Sequence, residues 1–433
     1  MSSRRRGDVG ARLHSAERVR VRLRESHGTG LTKRNVTFTV GRDPTSARQP
    51  FRDQCLSLVL PYGYPQSVTP DYATFQVWDT VQGLCSYLRS ILCQQSLFAG
   101  LGVGDASATA SSAALSWMFL HGMSMLGGVL FAFRTSTDFG ADPKTWRLFA
   151  DCVNDVGLTL TMAAPATGRL FLLVACLGSI CSAVCGVAAG ATKAAITQHF
   201  CRQRSNSALV SDIYSKEGIQ ETIVSITGLV LGSLLSTVLH GSLGLRWAVF
   251  IGLTALHVVA NYWAVTALCL TTINYQRAYI LIRHFMLCRS VLSPAKVARQ
   301  ESVWNFLRFR RRPIRFGAPL HEVVKDRSDL DWLQEELEAE RGAELTDPPY
   351  IIRMANGAAH VACHESIGSL AMLRSMFQAM RLLSGSSPVG ARHETRERFD
   401  EFAGALRSKG WVLDEINLPD ETWRCEWPPA PSA

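Results

Sequence analysis

The sequence predicts a mainly α-helical protein: a multi-span helical membrane bundle followed by a small soluble α+β module. Three observations lead to this fold class. Apolar residues make up 47% of the 433-residue chain, and they concentrate between about residue 90 and residue 285. Several stretches there carry no charged residue over the roughly 20 positions that a helix needs to cross a bilayer. Both ends of the chain, in contrast, are rich in charged residues, as soluble regions are.

Four stretches are predicted to be membrane-spanning helices. Three contain no charged residue, namely Leu170–Thr192, Thr222–Leu245 and Trp247–Ile273. The fourth, Ala113–Phe133, is a weaker candidate because it contains several glycines and His121. The amphipathic segment Phe75–Phe98 carries Asp79 and Arg89, so we expect it to lie at the membrane interface or to pack on the bundle.

Glycines four positions apart predict close packing of the helices. Gly186 and Gly190 form one such pair, and Gly228 and Gly232 form another. This spacing lets helix backbones approach closely in lipid. The pairs therefore indicate packing rather than chemistry.

The charge distribution predicts how the bundle is oriented. The connection Arg134–Gly157 is slightly acidic and is expected outside, whereas the loop Lys193–Glu221 and both arginine-rich termini are expected inside. Within the first connection, Asp151, Asn154 and Asp155 lie three and four positions apart. We interpret them as a solvated helix face rather than as a cation site.

The net charge of +9 comes largely from arginines near the N-terminus and in Arg308–Arg315. Such clusters bind either nucleic-acid phosphates or anionic lipid headgroups. No zinc-finger, helix-turn-helix or base-stacking pattern accompanies them, so we expect the lipid bilayer, and no nucleic acid, as a partner. The 12 cysteines contain no Cys-x-x-Cys pair, which favours a reduced compartment without a metal site.

Four segments are predicted along the chain: a basic, flexible N-terminus (1–38), a membrane core (39–290), a basic linker (291–327) and a small α+β module (328–433). The alternation in "RVRVRL" near the N-terminus also fits a short strand. In the last segment, Asn356-Gly357 between two apolar runs predicts a β-hairpin. His360, Cys363 and His364 are close in sequence, and we interpret the histidines as satisfied side chains rather than metal ligands.

Three polar segments border the predicted spans on the inside face, where they would meet at one mouth of the bundle. A Gly-rich turn, a helix N-terminus and a lysine together favour a phosphate or carboxylate. The predicted ligand-binding residues are Gly102, Gly104, Asp105, Ser107, Thr109, Lys193, Gln198, His199, Lys216, Glu217, Gln220 and Glu221.

Each of these segments also has a purely structural interpretation. Asp105, Ser107 and Thr109 are favoured helix N-caps, and the glycines before them would end the preceding helix. In the third segment, Glu217 and Glu221 form a like-charged pair one turn apart, which favours a partner outside their own helix.

Six motifs, in this order, resemble the root-UVB-sensitive (RUS) family of eukaryotes over Val40–Arg289, and more loosely over the C-terminal module. They are "LPYGYPQSVTPDYATFQVWDTVQGLCSYLR", "GVGDASAT", "KTWRLFADCVNDVG", "GVAAGATKAAITQHF", "SKEGIQETIVSITGLVLG" and "TALHVVANYWAV". The resemblance implies a membrane-associated protein, often plastid-associated in the family. The arginine-rich N-terminus also resembles an organelle presequence, although Asp8, Glu17 and Glu25 weaken this, so the organelle, plastid or mitochondrion, stays open for a multi-pass protein. The family resemblance also implies links to UV-B responses, auxin transport and pyridoxal phosphate homeostasis, and a hetero-oligomer with a family paralogue. It brings no catalytic residues.

Three functional classes follow. The first is a transporter or transport-associated protein for a small anionic metabolite, with pyridoxal phosphate as the candidate ligand and no cofactor otherwise expected. The second is a membrane-anchored scaffold that recruits partners through its C-terminal module. An enzyme ranks third, because no nucleotide fingerprint or nucleophile elbow is present. A transporter should bury polar residues around a cavity between helices, whereas an anchor should have a dry, small-residue bundle.

Overall fold

Helices form the central part of the chain, and strands lie only before residue 40 and after residue 271 in the residues described. The computed structural model describes residues 20–27, 32–39, 51–103, 110–135, 139–201, 206–304, 313–344, 348–418 and 421–427. These residues fall into two compact units. The first comprises residues up to 69 together with 201–220, and the second comprises 70–200 and 221–433.

The helices, in chain order, are α1 (Phe51–Val59), α2 (Tyr72–Gly100), α3 (Ala110–Thr135), α4 (Pro143–Ala163), α5 (Phe171–Phe200), α6 (Ser207–Val238), α7 (Leu243–Ala267), α8 (Tyr275–Cys288), α9 (Pro294–Ala298), α10 (Leu320–Val323), α11 (Arg327–Glu344), α12 (Ser369–Leu383) and α13 (Pro388–Ser408). The strands are β1 (Arg20–His27), β2 (Thr32–Thr39), β3 (Thr272–Asn274), β4 (Ile314–Phe316), β5 (Tyr350–Ala355), β6 (Ala358–Cys363) and β7 (Val412–Asn417).

The first unit contains an antiparallel pair of strands. β1 pairs with β2 from Arg20 opposite Thr39 to His27 opposite Thr32. The alternation of apolar and basic residues in β1 fits this, since successive residues of a strand alternate between its two faces. The strand interpretation is thus confirmed within the segment that was expected to be a flexible N-terminus.

The second unit contains α2 to α5, α6 from Glu221 onward, and α7, which belong to the predicted bundle. Four apolar regions are long enough to cross a membrane: Ser111–Thr135, Pro143–Phe200, Ser207–Val238 and Leu243–Ala267. This agrees with the four spans that the sequence predicts. α2 packs along α7 and α4, which confirms the expectation that the segment with Asp79 and Arg89 packs on the bundle.

α4 and α5 fold back on each other as a helical hairpin. A 3-10 turn, Ala164–Leu170, joins them, and its Gly168 adopts a positive φ of 56°. Gly157 of α4 meets Gly178 of α5 so closely that an added Cβ on Gly178 would lie 2.9 Å from the carbonyl oxygen of Gly157. The connection Arg134–Gly157 is thus largely α4, and its expected position outside stays a prediction.

The two predicted glycine pairs behave differently. Gly228 and Gly232 of α6 face Tyr87 and Ile91 of α2, and an added Cβ on Gly228 would come within 2.7 Å of the Tyr87 ring. Close packing at this pair is confirmed. Among the described residues, no atom of a neighbouring element lies within 4 Å of a Cβ built on Gly186 or Gly190. The prediction of close packing at that pair is therefore wrong for this chain.

Apolar side chains on the outer surface of these helices are extensively exposed. They include Leu126 and Val129 of α3, Leu231 and Leu234 of α6, and Ile251 of α7. Exposed apolar patches of this extent mark a surface that contacts another apolar phase. The hydrocarbon layer of a membrane is such a phase, and helices can lie in it because their backbone hydrogen bonds are satisfied within each helix.

The C-terminal part of the second unit combines strands and helices around one core. β3 runs parallel to β7, and a three-stranded sheet has the order β4-β6-β5. β5 and β6 are joined by Asn356 and Gly357, whose φ angles of 51° and 75° are those of a two-residue hairpin turn. The predicted hairpin is confirmed.

Within its described residues, the segment 291–327, expected to be a linker, contributes five side chains to this core. Val291, Leu292, Val297, Ile314 and Phe316 are buried in the same cluster as residues of α12 and α13. The reason is that apolar residues are interspersed among its arginines. α8 joins the same core, which therefore begins well before residue 328.

The glycine contact between α4 and α5 gives a test of the bundle. Gly178→Ala places a methyl group 2.5 Å from Thr161 Oγ1 and 2.9 Å from a backbone carbonyl, so we expect it to destabilise the protein by about 1–3 kcal/mol. Thermal unfolding in detergent measures this.

Gly186→Ala is the matched control on the same helix, because the methyl group meets open space and alanine favours helix. We expect its melting temperature to stay equal or to rise. Equal losses in the two variants would contradict the close contact between α4 and α5.

Candidate functional site

Six titratable side chains from three helices form a cluster inside the bundle, which we call the buried charge cluster. The members are Asp79 and Arg89 of α2, Arg147, Asp151 and Asp155 of α4, and His257 of α7. Ionisable residues between apolar helices are costly to bury, and they mark ligand or ion pathways in membrane proteins. This cluster is the foremost candidate for a functional site.

Asp155 lies at the centre of the buried charge cluster. Its carboxylate accepts a hydrogen bond of 2.5 Å from Nη1 of Arg89 and lies 3.0 Å from Nδ1 of His257. Nη1 of Arg89 also donates to Thr254 Oγ1 of α7 at 3.2 Å. Arg89 and His257 are both fully buried, with 0% of their surface exposed. One carboxylate thus ties α4 to both α2 and α7.

Asp151, one helical turn earlier, makes a second set of contacts. It accepts from Asn261 Nδ2 of α7 and lies 3.4 Å from Nε of Arg147. Nη2 of Arg147 donates to Asp79 Oδ1 of α2 at 2.9 Å. Nε2 of His257 lies 4.0 Å from Asp151, so this imidazole stands between two carboxylates.

The interpretation of Asp151, Asn154 and Asp155 as a solvated helix face is wrong. Asp151 and Asp155 are only 7% and 8% exposed, and Asn154 donates to Ser86 Oγ of α2 at 3.3 Å. The spacing does place them on one face of α4, but that face is turned to α2 and α7. Arg89 and His257 were also missed. The signal for them was the position of single charged or imidazole groups within otherwise apolar helices.

A polar cavity of about 320 Å³ lies between α2, α3, α4 and α5, and no member of the buried charge cluster is among its lining residues. Ser90 of α2 and Asn154 of α4 line it, and these residues directly follow Arg89 and precede Asp155 in sequence. Trp117 and His121 of α3 line it too, with rings stacked at 5.3 Å. The other lining residues are Cys93, Gln94, Leu97, Leu120, Ser124, Leu158, Thr161, Ser179 and Ser182.

Two of the three predicted polar segments are joined by one ion pair in the second unit. Nζ of Lys193 lies 2.6 Å from Glu221 Oε1, whose side chain is 57% exposed. The expectation that the like-charged pair has a partner outside its helix is confirmed for Glu221. His199 contacts Asp71 at 2.8 Å, and Asp71 also accepts from the backbone N–H of Cys269. Gln198 is exposed.

In the first unit, Lys216 and Gln220 bind backbone carbonyls at the end of α1. Nζ of Lys216 donates to the carbonyl oxygen of Ser57, and Nε2 of Gln220 donates to that of Val59, both at 2.7 Å. The last carbonyls of a helix lack partners in their own helix, so these side chains act as a cap. Glu217 is buried.

The Gly-rich segment before α3 is described only in part. α2 ends at Gly100, and Gly102 follows with a φ of 78°, which agrees with the expectation that glycines end this helix. Gly104, Asp105, Ser107 and Thr109 lie outside the described residues. Their part in a ligand site stays a prediction.

A second group of buried charges lies at the start of α4. Glu301 contacts Nζ of Lys144 at 2.7 Å and Nε of Arg277 at 2.6 Å. Burial alone would raise the pKa of Glu301, but Arg277 and Lys144 hold that pKa below its usual value. Asp142 lies beside them without such close pairing. Desolvation on burial, opposed by Arg277, raises the pKa of Asp142 from 3.8 to about 6.

The histidines of the C-terminal part have local partners. His360 of β6 is buried and lies 3.6 Å from Glu322, and burial with the nearby Arg315 lowers its pKa. His364 contacts Ser366 Oγ at 2.7 Å and packs on the ring of Trp427. The contacts of His364 agree with its interpretation as a satisfied side chain, whereas Nδ1 of His360 is buried without a hydrogen-bond partner in the described part of the chain.

Comparison with known proteins identifies the family. Residues 45–289 match the profile described as "Vitamin B6 photo-protection and homoeostasis domain", and residues 290–397 match "Root UVB sensitive protein, C-terminal". Protein root UVB sensitive 3 of Arabidopsis thaliana is 35% identical over 424 residues, which cover 94% of this chain and 95% of that protein. No solved structure matches the chain.

Two further relatives support this assignment. RUS family member 1 of Dictyostelium discoideum is 39% identical over 279 residues, covering 64% of this chain and 52% of that protein. Protein root UVB sensitive 2, chloroplastic, of Arabidopsis thaliana is 25% identical, covering 88% and 87%. The four apolar helices indicate a membrane protein of the helical-bundle class. The chain belongs to the root UVB sensitive family.

The buried charge cluster predicts a large effect for removing one partner. Asp155→Asn leaves the guanidinium of Arg89 buried beside a neutral amide, so we expect a loss of about 3–5 kcal/mol in the free energy of unfolding. Glu221→Gln, which removes the exposed pair with Lys193, should cost less than about 1 kcal/mol.

Denaturant unfolding in detergent measures both variants. Adding Arg89→Gln to Asp155→Asn should recover part of the loss, because the two effects are coupled through one contact. Strictly additive losses, or similar losses for Asp155→Asn and Glu221→Gln, would show that the buried pair does not hold the bundle together.

The raised pKa of Asp142 predicts a pH dependence of stability. Because the folded protein binds the proton more tightly than the unfolded chain, this contribution is fully present below about pH 4 and is lost as pH rises through about 6. Asp142→Asn should remove this loss, which is on the order of 2 kcal/mol. Unfolding measured from pH 4 to pH 7 tests it.

Asp400→Asn is the control, because Asp400 is an exposed carboxylate on α13. Its variant should keep the pH slope of the parent protein. If Asp142→Asn also keeps that slope, Asp142 is not buried in its uncharged form in the folded protein.

Proposed function

We propose that the protein is a multi-pass membrane transporter, or transport-associated protein, for a small anionic metabolite. The observation that carries the proposal is the polar cavity between α2, α3, α4 and α5. A bundle that only anchors the chain needs no polar space between its helices, and small residues would pack it dry. Here serine, threonine, asparagine, glutamine and histidine side chains surround a volume that suits a small ligand.

Pyridoxal phosphate is the first solute to consider. The domain that covers residues 45–289 carries vitamin B6 homoeostasis in its description, which links the family to this class of compound. The stacked rings of Trp117 and His121 offer a flat apolar surface to a pyridine ring. The hydroxyl and amide groups of the cavity offer hydrogen bonds to its polar substituents.

Arg89 supports an anionic rather than a neutral solute. Its side chain is fully buried, and Nη2 has no hydrogen-bond partner within the described residues. A guanidinium group binds phosphate or carboxylate through two parallel hydrogen bonds. Ser90, the next residue, lines the cavity, so α2 carries both the charge and part of the wall.

The predicted mouth residues keep a separate role in this proposal. Lys193, paired with Glu221 at the surface of the second unit, would attract anions toward the bundle. The plastid or mitochondrial location, the pairing with a family paralogue and the absence of enzymatic and nucleic-acid functions stay predictions.

Uptake of radiolabelled pyridoxal phosphate into proteoliposomes tests the proposal, with uncharged pyridoxine and the auxin indole-3-acetic acid as comparison solutes. We expect uptake of pyridoxal phosphate well above that of empty vesicles, and little uptake of pyridoxine. Ser90→Phe, which fills the cavity, should reduce the rate about tenfold or more.

Ser233→Phe is the matched control, because Ser233 is an exposed serine of α6 whose hydroxyl also bonds to its own helix. It should transport normally. No flux of any of the three solutes above empty vesicles would instead favour the non-transporting scaffold.

A further inference from the structure

His257 occupies a position that neither helix packing nor anion binding explains. It is fully buried on α7, 3.0 Å from Asp155 through Nδ1 and 4.0 Å from Asp151 through Nε2. Nε2 has no hydrogen-bond partner within the described residues. An imidazole between two carboxylates, far from water, is arranged for binding a proton.

The charges around His257 lead to the same conclusion. The elements packed against α7 contribute Asp79 and Arg89 from α2, and Arg147, Asp151 and Asp155 from α4, together with the thiols of Cys85, Cys93 and Cys152. Three carboxylates therefore oppose two guanidinium groups. A neutral His257 leaves one negative charge in the buried charge cluster, and a protonated His257 neutralises it. Burial favours the neutral cluster because a net charge is costly away from water.

We propose that His257 is a proton-binding site that couples proton movement to anion binding at Arg89, so that the protein moves one proton together with one negative charge. This inference rests on the proposed transport function. A metal ion is not the expected coupling ion, since the imidazole itself occupies the space between Asp151 and Asp155.

Asp155 connects the two events because it contacts both Arg89 and His257. The proton binds Nε2 of His257, the ring nitrogen that has no hydrogen-bond partner within the described residues, and no covalent bond between heavy atoms changes. The imidazolium then competes with Arg89 for the carboxylate of Asp155. The guanidinium that is released binds the anion. When one proton and one monoanion both bind, the net charge of the buried charge cluster together with its ligand does not change.

The closing experiment compares His257→Gln with His240→Gln, which replaces an exposed histidine after α6. In proteoliposomes without a membrane potential, one pH unit, acidic outside, should drive about tenfold accumulation of the anion by the parent protein and by His240→Gln. His257→Gln should lose this accumulation, and any uptake that it retains should not respond to the pH gradient.

The outcomes separate the two proposals. Uptake that ignores the pH gradient, or that stays proton-driven in His257→Gln, overturns the coupling and leaves transport standing. Dependence on Na⁺ instead of protons also overturns it. If no solute is transported, NMR of isotope-labelled histidine in lipid nanodiscs still decides on proton binding. The signal lost in His257→Gln must change protonation state between about pH 5 and pH 8, and a signal constant over that range refutes the site.

Discussion

Asp155 shared between Arg89 and His257 is the contact on which the organisation of the bundle depends. Through it α4 is bound to α2 and α7 at once, and α4 is held along α5 by the contact between Gly157 and Gly178. The same two helices, α2 and α4, also contribute Ser90 and Asn154 to the wall of the polar cavity. Breaking the contact would leave buried charges without partners, so structure and the proposed function rely on the same atoms.

Apolar composition and length were sufficient to predict the four apolar regions, but not their bounds: the predicted span Trp247–Ile273 runs beyond the end of α7 at Ala267 into β3. A run without charges, such as the one within α5, can only be satisfied in lipid or in a large core, so its position was predictable. The hairpin at Asn356-Gly357 was predictable as well, because its two positive φ angles demand those residue types. The glycine pairs were ambiguous, because spacing alone does not say whether a partner helix lies on that face.

The site was predicted less well, for a physical reason. Asp151 and Asp155 look solvated from the sequence because their partners, Arg89 and His257, lie 66 and 102 or more positions away and only the folded bundle brings them together. Of the two, only His257 looks anomalous alone, as a single imidazole in an apolar helix, because α2 carries Asp79 as well as Arg89. A pattern within one helical turn was easier to interpret from the sequence. The like charges of Glu217 and Glu221 correctly indicated a partner outside their helix, which is Lys193 for Glu221.

The central claim is that a charged, solute-accessible site lies within the hydrocarbon layer. Cryo-electron microscopy of the protein in lipid nanodiscs, with and without pyridoxal phosphate, tests it most directly. We expect Arg89, Asp155 and His257 to lie at the depth of the acyl chains. We also expect solute density in the cavity beside Ser90 and Asn154. Lipid tails filling that cavity, or α2 and α4 lying outside the bilayer, would contradict it.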